Sequence, residues 1–169
     1  MRRIIGIDPG SRITGYGIID SDGRRSRYVI SGCVAISGEN LAARLNVVFQ
    51  EVNNLIQAHR PHELAIEQVF MARNAASALK LGHARGAAIC AAVSHGLSVA
   101  EYSARSVKQA VVGRGGASKE QIQHMVRYLL ALSGSPRADA ADALAVALCH
   151  AHTGATLNRL PGVVRGKLR

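Results

Sequence analysis

Residues 2–20 read "RRIIGIDPGSRITGYGIID". Ile4, Ile5, Gly6 and Ile7 are apolar without alternation, the pattern of a strand buried on both faces. That strand, residues 3–8, ends on a carboxylate, Asp8. Pro9 and Gly10 then turn the chain. Residues 14–20 and 26–37 read as two further strands, with "DSDGRR" as the turn between them. Asp8 has two readings here. Asp-Pro-Gly is good turn chemistry, and an aspartate closing a central strand is also a charge delivered to a fixed point at the edge of a sheet. Gly10, Gly15 and Gly17 lack side chains, which would let a tight hairpin and a phosphate backbone lie close to that charge.

Beyond the hairpins the pattern changes. Leu41, Leu45, Val48, Phe49, Val52, Leu55 and Ile56 recur at helical spacing over 41–58, with Asn40 placed to cap. "ELAIEQVF" (63–70) is a short strand after Pro61. Residues 74–95 form an alanine-rich helix on which Gly82 and Gly86 share a face that another helix could approach closely. Residues 97–103 are a strand, and Ser103 caps a short helix through 111. "GRGG" (113–116) breaks the chain, and Ser118 with Gln121 is a capping box for a helix over 119–132. Ser135-Pro136 opens a last helix to about 152. The tail, 153–169, has no period and carries Arg159, Arg165, Lys167 and Arg169 without an acid, so it reads as a basic, disordered arm. The order β-β-β-α-β-α-β-α-α-α predicts one α/β domain over 1–152. Three antiparallel strands followed by β-α alternation give a mixed five-stranded sheet with helices on both faces.

The chain of 169 residues holds 21 Lys+Arg against 11 Asp+Glu, a formal charge of +10. So basic a domain expects a polyanion as partner. No apolar run is long enough to span a bilayer. Cys33, Cys90 and Cys149 are widely spaced and form no Cys-x-x-Cys, which fits buried thiols in a reducing cytoplasm. Aromatic content is 4% with no Trp, which argues against a stacking platform for single strands. No P-loop, complete dinucleotide fingerprint or nucleophile elbow is present. His150 and His152, at i and i+2, face different sides of a helix and make no metal pair.

With so few acids, four placements are informative. Glu67 lies inside "LAIEQVF", where Leu64 and Ile66 share one face and Ala65 and Glu67 the other. A glutamate there is costly unless it is paired, sits on an edge strand or binds metal. Asp139 and Asp142, in "RADAADALAVALCH", share a helix face at i, i+3. They could complement the helix dipole, but that works poorly here: counted from a Ser135 cap, Asp139 is already at the end of the first turn and Asp142 lies past it. If Asp8, Glu67, Asp139 and Asp142 converge, their oxygens suit hard divalent cations, Mg²⁺ with Mn²⁺ as a substitute. Two such ions roughly 4 Å apart would activate water and stabilise the leaving oxygen in phosphodiester hydrolysis. Phe70 follows in "VFMARN"; it packs under a loop or acts as an apolar wedge between bases.

The stretches "IGIDPGSRITGYGII", "AIEQVFMARNAASALKLGHARG", "VKQAVVGRGGASK" and "ADAADALA", in this order, resemble the RuvC family of Holliday junction resolvases over about residues 4–152. The resemblance implies a ribonuclease-H-like fold and Asp8, Glu67, Asp139 and Asp142 as metal-binding catalytic acids. It matches Lys108 and Lys119 to lysines that contact DNA near the cut and support catalysis, and Phe70 to an aromatic that disturbs stacking at the crossover. Arg12 and Arg73 are added as candidate DNA contacts. The resemblance also implies a homodimer, with helix 74–95 as candidate contact, acting on four-way junction DNA with the RuvAB branch-migration motor. The rival of an actin-like ATPase, whose phosphate-binding strand also ends in Asp-x-Gly, needs two related domains where this length suits one.

Overall fold

The structure, a computed structural model, describes residues 1–69 and 75–157. Its elements follow the expected order: β1 (Arg2–Asp8), β2 (Ile13–Ser21), β3 (Ser26–Ala35), α1 (Leu41–His59), β4 (Glu63–Glu67), α2 (Ala75–Ser94), β5 (Ser98–Tyr102), α3 (Ala104–Val112), α4 (Lys119–Leu129) and α5 (Ala138–Leu157). The sheet order is β3-β2-β1-β4-β5. β1 to β3 pair antiparallel, and β4 and β5 join parallel to β1.

β1 is central, and its period-2 alternation feeds both faces of the sheet. Ile5 and Ile7 pack with Val48, Val52 and Ile56 of α1 and with the alanines of α2. Ile4 joins the opposite cluster, with Val107 of α3, Val126 of α4 and Leu144 and Leu148 of α5. That division is why the strand reads as apolar without alternation.

Local chemistry sets most boundaries as expected. Asn40 accepts from the Ala43 N–H, Ser103 caps α3, and Ser118 with Gln121 closes a reciprocal capping box on α4. Four boundaries need correction. β4 stops at Glu67 rather than running to 70, with only the Gln68 N–H continuing the ladder, to Tyr102 O at 2.9 Å. α4 ends at Leu129, where Ala131 takes a left-handed φ of 50° and turns the chain. α5 is not capped by Ser135. It starts at Ala138, its first main-chain bond being Ala141 N–H to Arg137 O at 2.9 Å. Pro136 restrains Ser135 from helical geometry, and docking of Asp139 and Ala143 on the sheet sets the true start. At its other end α5 continues to Leu157, past the expected 152, so the proposed tail is helical over its first residues; 158–169 lie outside the described residues.

The glycines of the opening stretch also need correction. A Cβ on Gly6 would lie 2.2 Å from Ala143 O, one on Gly15 would lie 2.0 Å from Asp139 O, and one on Gly17 would lie 2.7 Å from Leu144 Cγ. These bare positions seat α5 against the sheet, not a DNA backbone. Gly10 serves the turn, since a Cβ there would meet Ile13 O at 1.8 Å.

Candidate active site

Asp8 and Glu67 are the last residues of neighbouring parallel strands, in a register that pairs Ile7 with Ile66. They share the sheet face of Ile4 and Ala65, the face covered by α5, so both carboxylates leave the sheet side by side. β4 lies between β1 and β5, which removes the edge-strand reading of Glu67. Among the described residues no arginine pairs with it either.

Asp142 comes to the same point from α5, Lys108 from α3 and Lys119 from the first residue of α4. Together they line a cavity of about 260 Å³ floored by Val107, Ile122 and Ala145. The larger clefts elsewhere on the surface contain none of the four acids. Asp139 does not line the cavity. Its carbonyl lies over Gly15, the residue paired with Asp8, and it falls in the first turn of α5. The dipole reading therefore applies to Asp139 after all, but not to Asp142, which lies past that turn.

The electrostatics are those of an unneutralised acid cluster. Burial, then Glu67, Asp142 and Asp139, lift the Asp8 carboxyl from 3.8 to about 7, with Lys119 opposing. Burial and Asp142 raise Glu67, against Lys119 and Lys108. Burial raises Asp142 although Lys119 Nζ stands 3.5 Å from its Oδ2. Lys119 is 72% exposed, so water weakens its hold and burial prevails. Among the described residues no three Asp, Glu, His or Cys side chains form a preassembled metal-ligand set. Three half-buried carboxylates pushed toward protonation fit a divalent cation, whose charge would relieve each of them.

Arg12 is exposed on the turn after Asp8, outside the cavity. Phe70 and Arg73 lie outside the described residues. The helical pattern did not single out Arg44, which turns out to bond the main chain of that same turn. His150, set aside as a metal ligand, instead bridges Tyr102 Oη at 2.7 Å and Glu63 Oε2 at 2.9 Å, away from the acids.

A mixed sheet in this order, with acids at the carboxyl ends of its two central parallel strands and on the helix that crosses them, defines the ribonuclease-H-like fold. The family model for crossover junction endodeoxyribonuclease RuvC matches residues 4–150. The chain belongs to the RuvC family. It is 59% identical to crossover junction endodeoxyribonuclease RuvC of Pseudoalteromonas atlantica, over all of both chains. With the Marinobacter nauticus protein of the same name it shares 61% identity, over 95% of this chain and 91% of that one. Among solved structures, T. thermophilus RuvC in complex with Holliday junction substrate superposes with a TM-score of 0.87 at 35% identity, covering 92% of this chain and 96% of that one.

Proposed function

We propose that this chain is a structure-selective endodeoxyribonuclease that resolves four-way DNA junctions by paired symmetric nicks, leaving 5′-phosphate and 3′-hydroxyl ends, in recombination and repair. The observation that carries this is the meeting of Asp8, Glu67, Asp142, Lys108 and Lys119 in one cavity of a +10 chain. A carboxylate cluster alone would repel a phosphodiester; ringed by lysines on a basic surface it can receive one.

Asp8, on the central strand, and Glu67 with Asp139 and Asp142 would hold two Mg²⁺ ions, or Mn²⁺ in their place. Such ions supply Lewis-acid activation of water and stabilisation of the leaving oxygen. The chain's own groups do the rest. The two strand ends fix Asp8 and Glu67 against each other. Lys119, largely exposed beside Asp142, offsets charge that develops on the phosphate. Lys108 offers a second cation on the same wall. Phe70, Arg73 and Arg12 are assigned to DNA on sequence grounds, with Phe70 entering the stack.

A two-fold substrate calls for a two-fold protein, and α2 offers the contact. Its buried residues are Ala84, Ala88, Ala91 and Ala92, whereas a Cβ on Gly82 or Gly86 would meet nothing within 4 Å. Leu79 and Val93 are 64% and 59% exposed. The glycine face is thus open rather than packed on its own sheet, which supports a homodimer through α2. Partnership with RuvAB and a cytoplasmic location rest on the family resemblance; among the described residues no helix is long and apolar enough to cross a membrane.

The test incubates a four-way junction with the protein in Mg²⁺ or Ca²⁺, beside Asp8→Asn. Symmetric nicks in Mg²⁺ alone, with binding but no cutting by the variant, are expected. Cutting by Asp8→Asn would overturn the acid assignment. Phe70→Ala should bind and cut slowly; undiminished cutting returns Phe70 to a packing role.

A further inference from the structure

After Asp8 the chain must reverse within four residues to begin β2 at Ile13. The turn Pro9–Arg12 therefore decides how the Asp8 carboxylate and the Arg12 guanidinium are presented. Two of its bonds come from β2 and from the residue that follows β3. The Gly10 N–H donates to Thr14 Oγ1 at 3.4 Å, a long bond, and the Ile36 N–H donates to Arg12 O at 2.8 Å. The third comes from a helix on the opposite face of the sheet from α5. Arg44 Nη2 donates to Ser11 O at 2.5 Å.

Arg44 is built to make that bond. It lies in the N-terminal part of α1, whose first turn is fixed by the Asn40 cap. Its stem runs past Gly38, where φ is +152° and a Cβ would stand 2.9 Å from Arg44 N and 3.0 Å from Arg44 Cγ. Among the described residues no carboxylate forms an ion pair with it. Its charge is directed at a main-chain carbonyl, and a charge-assisted bond of this kind is stronger than a neutral one. Among the described bonds of the turn it is the one that comes from a helix.

We propose that Arg44 is a positioning residue for the nuclease reaction: it fastens the turn between Asp8 and Arg12 to α1 and so keeps the strand-end carboxylate and the following residues in a cleavage-competent shape. It acts through the turn and not on DNA. The proposal rests on the nuclease reading above.

Two variants separate the possibilities. Arg44→Met keeps the apolar stem and removes the donors; Arg44→Lys keeps a charged donor. Each is followed by junction cleavage over a substrate series up to saturation at saturating Mg²⁺, by junction affinity in Ca²⁺ over a salt series, by thermal unfolding and by amide hydrogen exchange of the peptide spanning 9–14. Arg44→Met should cut about ten-fold or more slowly, the scale of a small misplacement of reacting groups. Its KM should stay within about two-fold of wild type and its salt slope should not change. Exchange over 9–14 should quicken, and Arg44→Lys should recover most of the rate and the protection.

A salt slope lower by about one, with weakened binding, would make Arg44 a phosphate contact and overturn the proposal. So would cutting by Arg44→Met at the wild-type rate. A collapse in Tm for Arg44→Met, with exchange speeding up across the whole chain instead of the turn, would make it a general strut and also overturn it. A wild-type chain that cuts no junction would fail the nuclease reading instead, while exchange over 9–14 would still report whether Arg44 ties the turn.

Discussion

Replacing Asp8 by Asn should stabilise the metal-free protein while abolishing cleavage. In the folded chain burial and three neighbouring acids move this carboxyl from 3.8 to about 7. The group binds its proton more tightly folded than unfolded. Stability is therefore full below pH ~4, where both states are protonated, and declines as pH rises toward 7 because only the unfolded chain gains by ionising. Above pH ~7 the penalty is complete. About three pH units at about 1.36 kcal/mol each set a ceiling on the order of 4 kcal/mol. An asparagine never ionises, so Asp8→Asn escapes that penalty. The assay is urea unfolding of both proteins in EDTA at pH 4 and pH 8. The variant should be nearly equal to wild type at pH 4 and more stable by a few kcal/mol at pH 8. Mg²⁺ should then raise the stability of the wild type and not that of the variant, since only the native acid set binds it. A variant with no advantage at pH 8 would refute the picture of a buried, repelled carboxylate and remove the electrostatic argument for the metal.

Lys119→Ala should move the acid limb of the pH–rate profile to higher pH, because Lys119 lowers the carboxyls of Asp8, Glu67 and Asp142. Cleavage at neutral pH should fall on the order of 100-fold, and an unmoved limb would show that the lysine is too exposed to matter. Gly15→Ala sets a Cβ 2.0 Å from Asp139 O, so it should cost about 1–3 kcal/mol in unfolding experiments and slow cutting together; wild-type stability would contradict the tight seat. Gly82→Arg on the open face of α2 should shift sedimentation from dimer to monomer at matched concentration, with Tm held within a few degrees. A variant that stays dimeric would move the contact elsewhere.

Much of this architecture is written locally. The caps at Asn40, Ser103 and Ser118 act through bonds to residues three positions on, so they can be read in a short window, and the alternation of Ile4, Ile5 and Ile7 between two clusters is a period-2 fact. The meeting of Asp8, Glu67 and Asp142 was legible because a charge in an apolar setting is costly enough to demand a reason. What escaped depends on partners distant in the chain. α5 begins at Ala138 because Asp139 and Ala143 meet Gly15 and Gly6 across more than a hundred residues of sequence, and no local signal near Ser135 reports that. The same distance hid the purpose of the glycines, which looked like room for a substrate and are room for a helix. Arg44 reads as one more charge on a solvated helix face, and its partner is a carbonyl, which carries no residue-type signal at all.

The glycine seat under α5 has a consequence for how heat affects the site. Where side chains cushion a helix against a sheet, their rotamer exchange lets the two layers breathe. Here main chain rests almost directly on main chain at Gly6 and Gly15. The spacing between the strand-borne and helix-borne acids thus inherits the stiffness of the peptide bonds themselves. Warming should leave that spacing intact until the whole domain melts, so the site fails when the fold does, and not before.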